Sequence, residues 1–442
     1  MKKTDIWLYS LSLLYLAVLL AVLAVFGYTP GPDTDGYIAM AQKCLAEGQP
    51  YPCTATIEGT PFLWNIGSIN LIEASLALTG SIAPLLIVFC LMKAATALFA
   101  AKTAQTLIGN RTAVATMLLC MLYPNNWGQS TTLLSEIPMV FFATAAVLLA
   151  VKKPSGARIA AAGVLLCIAN WFRPIAVLFA FIIALYYILF FRRDALRHIL
   201  MLAAGYAVTV CIIGTETWSR TGYFIYQCDS FWYNMADDAY DGATPDAHFG
   251  EPLFKKGTPR YIENMEQKNC FECSDIWRER CMEWLLSHKW EYLKKVPWRL
   301  YYMLSNDNDN AAAFIAKAEK QRPDGADALT VPYRHAFSEW HSMTFAQRMA
   351  FLCTAAYYLL VLLAIAGCVV LARRKQWEAL FITAFTIVFV TLATVLMVQG
   401  EARFKAPYMP YLTILAAVGA TQIVKSKKVK EEKSKKGREK TR

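Results

Sequence analysis

The sequence predicts an all-α protein that crosses a membrane many times. Of its 442 residues, 56% are hydrophobic, and apolar runs of 18 or more residues recur along the chain. Helices of that length match the thickness of a bilayer, and this composition argues against a soluble fold. The first run, residues 6–26, follows Lys2 and Lys3 and lacks an A-x-A cleavage pattern. We therefore expect a retained first span and not a removed signal peptide.

Ten segments are predicted to span the membrane: residues 5–27, 82–106, 112–127, 131–151, 157–172, 174–191, 198–219, 349–371, 377–398 and 406–424. Short loops rich in Lys and Arg mark the cytoplasmic side. Such loops share one side only if the stretch 61–80 does not cross the membrane. Asn65, Asn70 and Glu73 also make this stretch more polar than a lipid-facing helix. We interpret it as an interfacial helix, which leaves both termini in the cytoplasm.

Four parts follow from this topology. An N-terminal transmembrane module covers residues 1–220 and includes a first external loop, 28–81. A large external loop covers 221–347, a three-span module covers 348–424, and a basic tail covers 425–442. Residues 276–304 mix aromatic and basic side chains in a helical rhythm, which predicts an interfacial helix broken near Pro297. An interfacial belt is favoured over sugar-stacking platforms for these aromatic residues.

The formal net charge of +11 lies mostly in the tail, where residues 425–442 carry ten Lys or Arg and three Glu. Such a segment is predicted to be disordered and cytoplasmic and to contact anionic membrane lipid. We therefore expect no nucleic-acid partner. One lysine, Lys93, lies in the middle of the second predicted span. A lysine that faces the bundle or snorkels is favoured there over a functional one.

Six of the twelve cysteines fall in predicted external loops: Cys44, Cys53, Cys228, Cys270, Cys273 and Cys281. Their even number and an oxidising compartment favour disulfides, with Cys44 and Cys53 as one candidate pair and two more within the large loop. Free thiols remain an alternative. Zinc bound by Cys270, Cys273 and Cys281 is a weaker one, since no His lies close by.

Charged and polar residues collect at the predicted external ends of the spans, whereas the cytoplasmic ends offer ordinary topogenic Lys and Arg. The external set comprises Asp33, Asp35, Ser135, Glu136, Asn170, Arg173, Arg220, Glu401, Arg403 and Lys405. A carboxylate can take the proton of an attacking hydroxyl, and the planar donors of Arg match phosphate oxygens. Both signs of charge on one face therefore predict group transfer from a lipid phosphate. The sequence has no glycine-rich nucleotide loop.

Five motifs in order carry a resemblance to the GT-C integral membrane glycosyltransferases, particularly bacterial relatives of the protein O-mannosyltransferases and the lipid A aminoarabinose transferase. They are Asp33 to Tyr37 with Ala41, Ser135 to Pro138, Arg173 with Pro174, Arg220 to Gly222, and Gly400 to Phe404. The resemblance covers most of residues 1–220 and 345–424, while the large loop adds little. It implies a GT-C-like bundle, a bacterial inner-membrane location and an extracytoplasmic active site.

The resemblance also implies roles for individual residues. Asp33 would be the general base, with Asp35 as a second acid or helper, in inverting transfer from a polyprenyl-phosphate sugar to a hydroxyl of a cell-envelope glycolipid, polysaccharide or protein. The donor phosphate would contact Arg173, Arg403, Arg220 and Lys405, and the supporting residues would be Tyr37, Glu136 and Glu401. No cofactor is indicated beyond a possible divalent cation at Asp33 and Asp35, and no metal ligands are assigned.

The residues alone leave other interpretations open. Asp33 or Asp35 could cap the helix that follows, and Glu136 could simply favour a helix start. Arg173 and Arg403 could anchor the chain at the membrane interface. At the level of the whole protein, the alternatives are a transporter or lipid-sugar flippase, a polysaccharide polymerase or ligase, and a structural scaffold.

Overall fold

The computed structural model describes residues 3–31, 33–152, 155–240, 256, 260–307, 338–397 and 400–423. The basic tail, Gln399 and two stretches of the large loop, 241–255 and 308–337, lie outside the described residues. No strand forms among the residues described, and a single isolated bridge joins Leu63 to Asp229. The all-α prediction is confirmed.

Eleven helices cover the region up to residue 221. They are α1 (Lys3–Phe26), α2 (Thr34–Glu47), α3 (Thr54–Glu58), α4 (Ile66–Thr79), α5 (Ala83–Leu107), α6 (Asn110–Leu122), α7 (Asn125–Gly128), α8 (Glu136–Val151), α9 (Gly156–Phe172), α10 (Val177–Phe190) and α11 (Ala195–Thr221). The large loop contributes α12 (Phe231–Tyr240), α13 (Cys270–Ser287), α14 (Lys289–Lys294) and α15 (Val296–Ser305). The rest forms α16 (Phe345–Arg373), α17 (Trp377–Met397, with a π-helical stretch at Phe381–Phe385) and α18 (409–423).

Each of the ten predicted spans contains a helix. Within the described chain, five helices are long and apolar enough to cross a membrane by themselves, namely α1, α5, α11, α16 and α17. A sixth candidate is the pair 125–131 and α8, which is bent by 118°. The helices α6, α9 and α10 are apolar but shorter. The chain is thus a multi-pass membrane protein, while the number ten and the orientation remain predictions.

Some predicted span boundaries differ from those of the helices. The third span is predicted to reach residue 127, but α6 ends at Leu122 because the next residue, Tyr123, is extended ahead of Pro124. The break predicted near Pro297 lies at Lys295, since a proline fits without penalty in the first turn of α15. A helix, α4, forms within the stretch 61–80, and its interfacial position remains a prediction.

Small residues allow close helix contacts in the bundle. A Cβ atom on Gly205 of α11 would overlap the carbonyl oxygen of Ala160 on α9, and one on Gly163 of α9 would overlap the carbonyl oxygen of Leu202. The backbones of α9 and α11 therefore touch directly. Such contacts are a main source of cohesion between helices in a bilayer, because apolar side chains gain little free energy when they move from lipid tails into a helix contact.

The first loop and the large loop pack against each other. The rings of Phe62 and Tyr233 stack with centroids 4.2 Å apart, beside the buried Trp277 of α13. The large loop is also fixed to the bundle, because the Tyr292 hydroxyl donates to the carbonyl oxygen of Leu396 at 2.7 Å. These contacts hold the two loops on one face, as the topology prediction requires.

The expected disulfides are absent from the structure, which has free thiols at all twelve cysteines. The Cys44 and Cys53 sulfurs approach to 3.7 Å in a buried position, so the candidate pair is close in space but not bonded. Burial raises the pKa of the Cys44 thiol, which keeps it protonated. The alternative zinc site is also absent, since no three His, Cys, Asp or Glu side chains come together in the described part of the chain.

Candidate functional site

The first loop places Asp33 directly before α2. It occupies the N-cap position, yet its side chain makes no capping hydrogen bond. Its Oδ2 atom instead accepts a hydrogen bond of 2.8 Å from the Arg403 Nη1 atom. The simple capping interpretation of Asp33 is therefore wrong, and the carboxylate is available to a site. Asp35 lies in the first turn of α2 and is exposed, so it is neither the N-cap nor part of the cluster described next.

Arg403 joins two carboxylates. Besides Asp33, its Nε atom donates to Glu401 Oε2 at 2.6 Å. Burial alone would lower the pKa of Arg403, but the carboxylates of Glu401, Asp33 and Glu136 outweigh it and raise the pKa above its ordinary value. The segment that carries Arg403 is a 3₁₀ helix, Ala402–Tyr408, and Gly400 ahead of it lies against the backbone of Arg299, where a Cβ atom would clash.

Arg173 forms a second ion pair, with Glu136. Arg173 follows α9 in an extended conformation set by Pro174, and Glu136 begins α8, so both lie at helix ends. The Glu136 side chain is only 6% exposed. Burial lowers the pKa of Arg173, but Glu136 reverses the shift and the net direction is upward. Both guanidinium groups thus remain charged.

The two ion pairs belong to one cluster. The guanidinium carbons of Arg173 and Arg403 lie 5.6 and 5.4 Å from the centre of the Phe404 ring. Cation–π contact keeps two positive groups next to each other, with Asp33 and Glu136 supplying the balancing charge. A phosphate would find planar donors here from two different helix ends.

Tyr37 and Asn65 complete the site. The amide nitrogen of Asn65 donates to the Tyr37 hydroxyl at 2.7 Å and to the Ser135 Oγ atom at 3.2 Å. Burial, and then the charge of Asp33, raise the pKa of Tyr37, so its phenol stays neutral. Ser135 in turn donates to Glu136 at 3.3 Å. The chain of hydrogen bonds links α2, the start of α4 and the start of α8.

Two predicted phosphate ligands lie elsewhere. Lys405 is fully buried, pairs with Asp307 at 3.1 Å and donates to the carbonyl oxygens of Met303 and Asn306. Arg220 pairs with Glu216 and donates to the carbonyl oxygens of Pro50 and Pro52. Both side chains are engaged in holding segments together, so the structure does not bring them to the cluster.

Sequence reasoning did not assign Asn65 to the site and overlooked Asp307. In the sequence, Asn65 indicates only that the stretch 61–80 is polar, although an amide directly before a helix at the predicted external face is a site signal of the same kind as Asp33. Asp307 accepts from the Asn125 amide at 3.1 Å and pairs with Lys405. Asp307 is far along the chain from Asn125 and Lys405, so the sequence alone does not show that they are partners, whereas the three-dimensional structure does.

A divalent cation has no ligand set among the described site residues. Asp33 and Glu136 each face a guanidinium, Asp35 is exposed, and no group of three potential ligands forms among the residues described. Metal sites for hard cations need several oxygen ligands turned toward one point.

Comparison with solved structures gives two matches over nearly the whole chain. One is the oligosaccharyltransferase AglB of the archaeon Archaeoglobus fulgidus in complex with an inhibitory peptide and a dolichol-phosphate, with a TM-score of 0.54, 13% identity and coverage of 96% of this chain. The other is an Archaeoglobus fulgidus oligosaccharyltransferase in its apo form, with a TM-score of 0.52, 12% identity and 95% coverage. The protein has the GT-C fold.

The chain spans 51% of the length of each of these two structures. No protein-family model matches it, and no curated protein does. At 12 to 13% identity the likeness concerns the fold alone. The resemblance expected from five short motifs is thereby confirmed at the level of the fold, and the roles of individual residues remain to be argued from the site.

Proposed function

We propose that this protein is a membrane glycosyltransferase that moves a sugar from a polyprenyl-phosphate donor to a hydroxyl group at the extracytoplasmic face. The observation that carries the proposal is the pairing of Asp33 with Arg403 beside the Glu136 and Arg173 pair, within the GT-C fold. A carboxylate that could act as a base lies next to two guanidinium groups that could hold a phosphate. The dolichol-phosphate in the AglB complex is a lipid phosphate of the same chemical class.

Accessibility favours Asp33 as the base over Glu136. The Asp33 side chain is 32% exposed and that of Glu136 is 6% exposed. A general base must come within hydrogen-bond reach of the hydroxyl it deprotonates, which a buried carboxylate cannot do. Glu401 is also accessible and pairs with Arg403, whereas the Asp33 charge also raises the pKa of both Tyr37 and Arg173.

The proposed step is an inverting displacement. The acceptor oxygen forms a bond to the anomeric carbon, and its proton passes to the Asp33 carboxylate. The bond from that carbon to the phosphate oxygen breaks, and the electron pair stays on the phosphate. Arg403 and Arg173 stabilise the growing negative charge, because each guanidinium has five N–H donors and only some are used in the ion pairs. Binding of the phosphate would also loosen Arg403 from Asp33 and free the base.

Glu136 has a positioning role in this proposal. It holds Arg173 in place from the buried side, and Ser135, Asn65 and Tyr37 hold Glu136 and the start of α2 in a fixed relation. The carboxylates are therefore not equivalent, since one is accessible for proton transfer and one is buried as a counter-ion. The large loop would bind the acceptor, because it packs on the first loop, which also carries Asp33.

The experiment is transfer by the purified protein in liposomes. Radiolabelled polyprenyl-phosphate sugars are supplied with cell-envelope acceptors, and nucleotide sugars serve as the negative control. We expect labelled acceptor and free polyprenyl phosphate to appear in equal amounts from a lipid donor only. Movement of the intact lipid across the liposome membrane without transfer would instead establish a flippase. Transfer from nucleotide sugars alone would refute the lipid donor.

A further inference from the structure

A cavity beside the site contains Lys93 in its wall. It measures about 70 Å³, and its lining includes Glu136, Arg403, Asp307, Lys93 and Gln129. A single water needs roughly 10–15 Å³ by this kind of measure, so the cavity has room for a group of several heavy atoms. Because Glu136 and Arg403 line it, a group bound at the site can extend into it.

The cavity is rich in hydrogen-bond donors. The hydroxyls of Tyr15 and Tyr123 are buried in its wall and have no hydrogen-bond partner among the described residues. The Lys93 ammonium donates to the amide oxygen of Gln129, and it forms no salt bridge within the described chain. Buried polar groups normally find partners, and an ionised group inside a membrane bundle normally finds an opposite charge. Two hydroxyls without partners and an ammonium with no directly paired carboxylate in the described chain together favour a ligand with several oxygen atoms, such as an anion.

The other cations are already balanced. Arg173 and Arg403 face the three carboxylates of Glu136, Asp33 and Glu401, and Lys405 faces Asp307. In the described part of the site, the acids thus exceed the guanidinium groups. An incoming phosphate must displace carboxylates to bind at Arg403, whereas the Lys93 ammonium forms no salt bridge in the described chain, and Asp307, which lines the same cavity, is paired with Lys405.

The geometry points to Lys93 as the residue that holds the phosphate of the lipid donor and of the departing lipid, with the hydroxyls of Tyr15 and Tyr123 as additional donors. This inference rests on the proposed function, because it assumes a lipid-phosphate donor. Lys93 acts as a compact point charge in the wall of the cavity. The phosphate group moves inward past Arg403 as its bond to the sugar breaks, which leaves the guanidinium groups to re-form their pairs with Asp33 and Glu136.

Binding to the purified full-length protein tests this inference, with farnesyl phosphate, farnesol and inorganic phosphate as probes. Wild type should bind farnesyl phosphate at least tenfold more tightly than farnesol, and inorganic phosphate weakly. Lys93→Met should reduce affinity for farnesyl phosphate roughly 10- to 100-fold, the usual effect of losing a charged hydrogen bond, without changing that for farnesol. The control is Lys102→Met on the same helix, whose lysine pairs with Asp5 outside this cavity.

Several outcomes decide the matter. Lys93→Met should unfold at a temperature no lower than wild type, because it removes a partly buried charge that forms no salt bridge within the described chain. If Lys93→Met does not fold, Tyr15→Phe with Tyr123→Phe replaces it, and we expect about tenfold weaker binding of farnesyl phosphate. Unchanged headgroup selectivity in these variants would overturn the role of Lys93 while leaving transfer activity intact. A wild type with no preference for the phosphate would overturn the lipid-phosphate donor itself.

Discussion

The ion pair between Glu136 and Arg173 gives a quantitative prediction about stability. Arg173→Met leaves the Glu136 carboxylate without its counter-ion at a position where the side chain is only 6% exposed. Removing one partner of a buried pair costs about 3–5 kcal/mol. The Arg173 side chain is 18% exposed, which lets some water replace it and favours the lower end of that range, about 3 kcal/mol.

This cost can be converted into a melting temperature. With an unfolding entropy of about 2 cal/mol/K per residue, a chain of this length loses roughly 3 °C for 3 kcal/mol. The double variant Arg173→Met with Glu136→Gln removes both charges and should recover most of the loss, because it leaves no buried ion unpaired. Both variants should bind a lipid phosphate more weakly than wild type does, since both lack the Arg173 guanidinium.

Thermal unfolding followed by tryptophan fluorescence measures the melting temperature. Binding of farnesyl phosphate measures the affinity for a lipid phosphate. Arg373→Met is the matched control, because this arginine is exposed in the last turn of α16. A single Arg173→Met variant that melts together with wild type would refute the reasoning. So would a double variant no more stable than the single one.

Three further predictions concern stability and order. Asp307→Asn should lower the melting temperature by several degrees, because it leaves the buried Lys405 ammonium with hydrogen bonds to carbonyl oxygens but without its carboxylate partner. An unchanged melting temperature would contradict a structural role for this pair. Arg220→Met should speed hydrogen–deuterium exchange at the amides of Gln49, Tyr51 and Cys53, which flank the Pro50 and Pro52 carbonyl oxygens that Arg220 binds, and unaltered exchange would count against this contact. Gly205→Ala should destabilise the protein by several kcal/mol because α9 and α11 touch there. Gly156→Ala should be neutral or stabilising, because its Cβ atom would meet only the Met201 sulfur, at an ordinary contact distance of 4.0 Å; equal melting of the two would exclude the close contact.

The cluster could be predicted from the sequence because its members lie at helix ends. Topology decides which ends share a face, and Asp33, Glu136, Arg173 and Arg403 all fall on the same predicted face. Short breaks such as the Arg173 and Pro174 pair also place a side chain at a helix end without any tertiary information. The structure brings these residues together, as expected.

The fates of Lys405 and Arg220 could not be predicted. A charge at a span end is identified by its position, but its partner depends on which distant segment approaches it. Asp307 reaches Lys405 from the large loop, and the carbonyl oxygens of Pro50 and Pro52 reach Arg220 from the first loop. Both approaches arise from packing between elements that local patterns do not relate. The same limit explains why Lys93 was interpreted as an ordinary bundle-facing lysine, since its cavity is formed by several helices.

The rate of sugar transfer by Asp33→Asn tests the central claim most directly. It should be measured in a single turnover with saturating polyprenyl-phosphate sugar, next to Asp35→Asn as a control from the same turn and Glu401→Gln as the rival acid. The account predicts a loss of about 10²- to 10⁴-fold for Asp33→Asn with donor binding retained, and near wild-type rates for Asp35→Asn. Full activity of Asp33→Asn, or a comparable loss in Asp35→Asn, would contradict it.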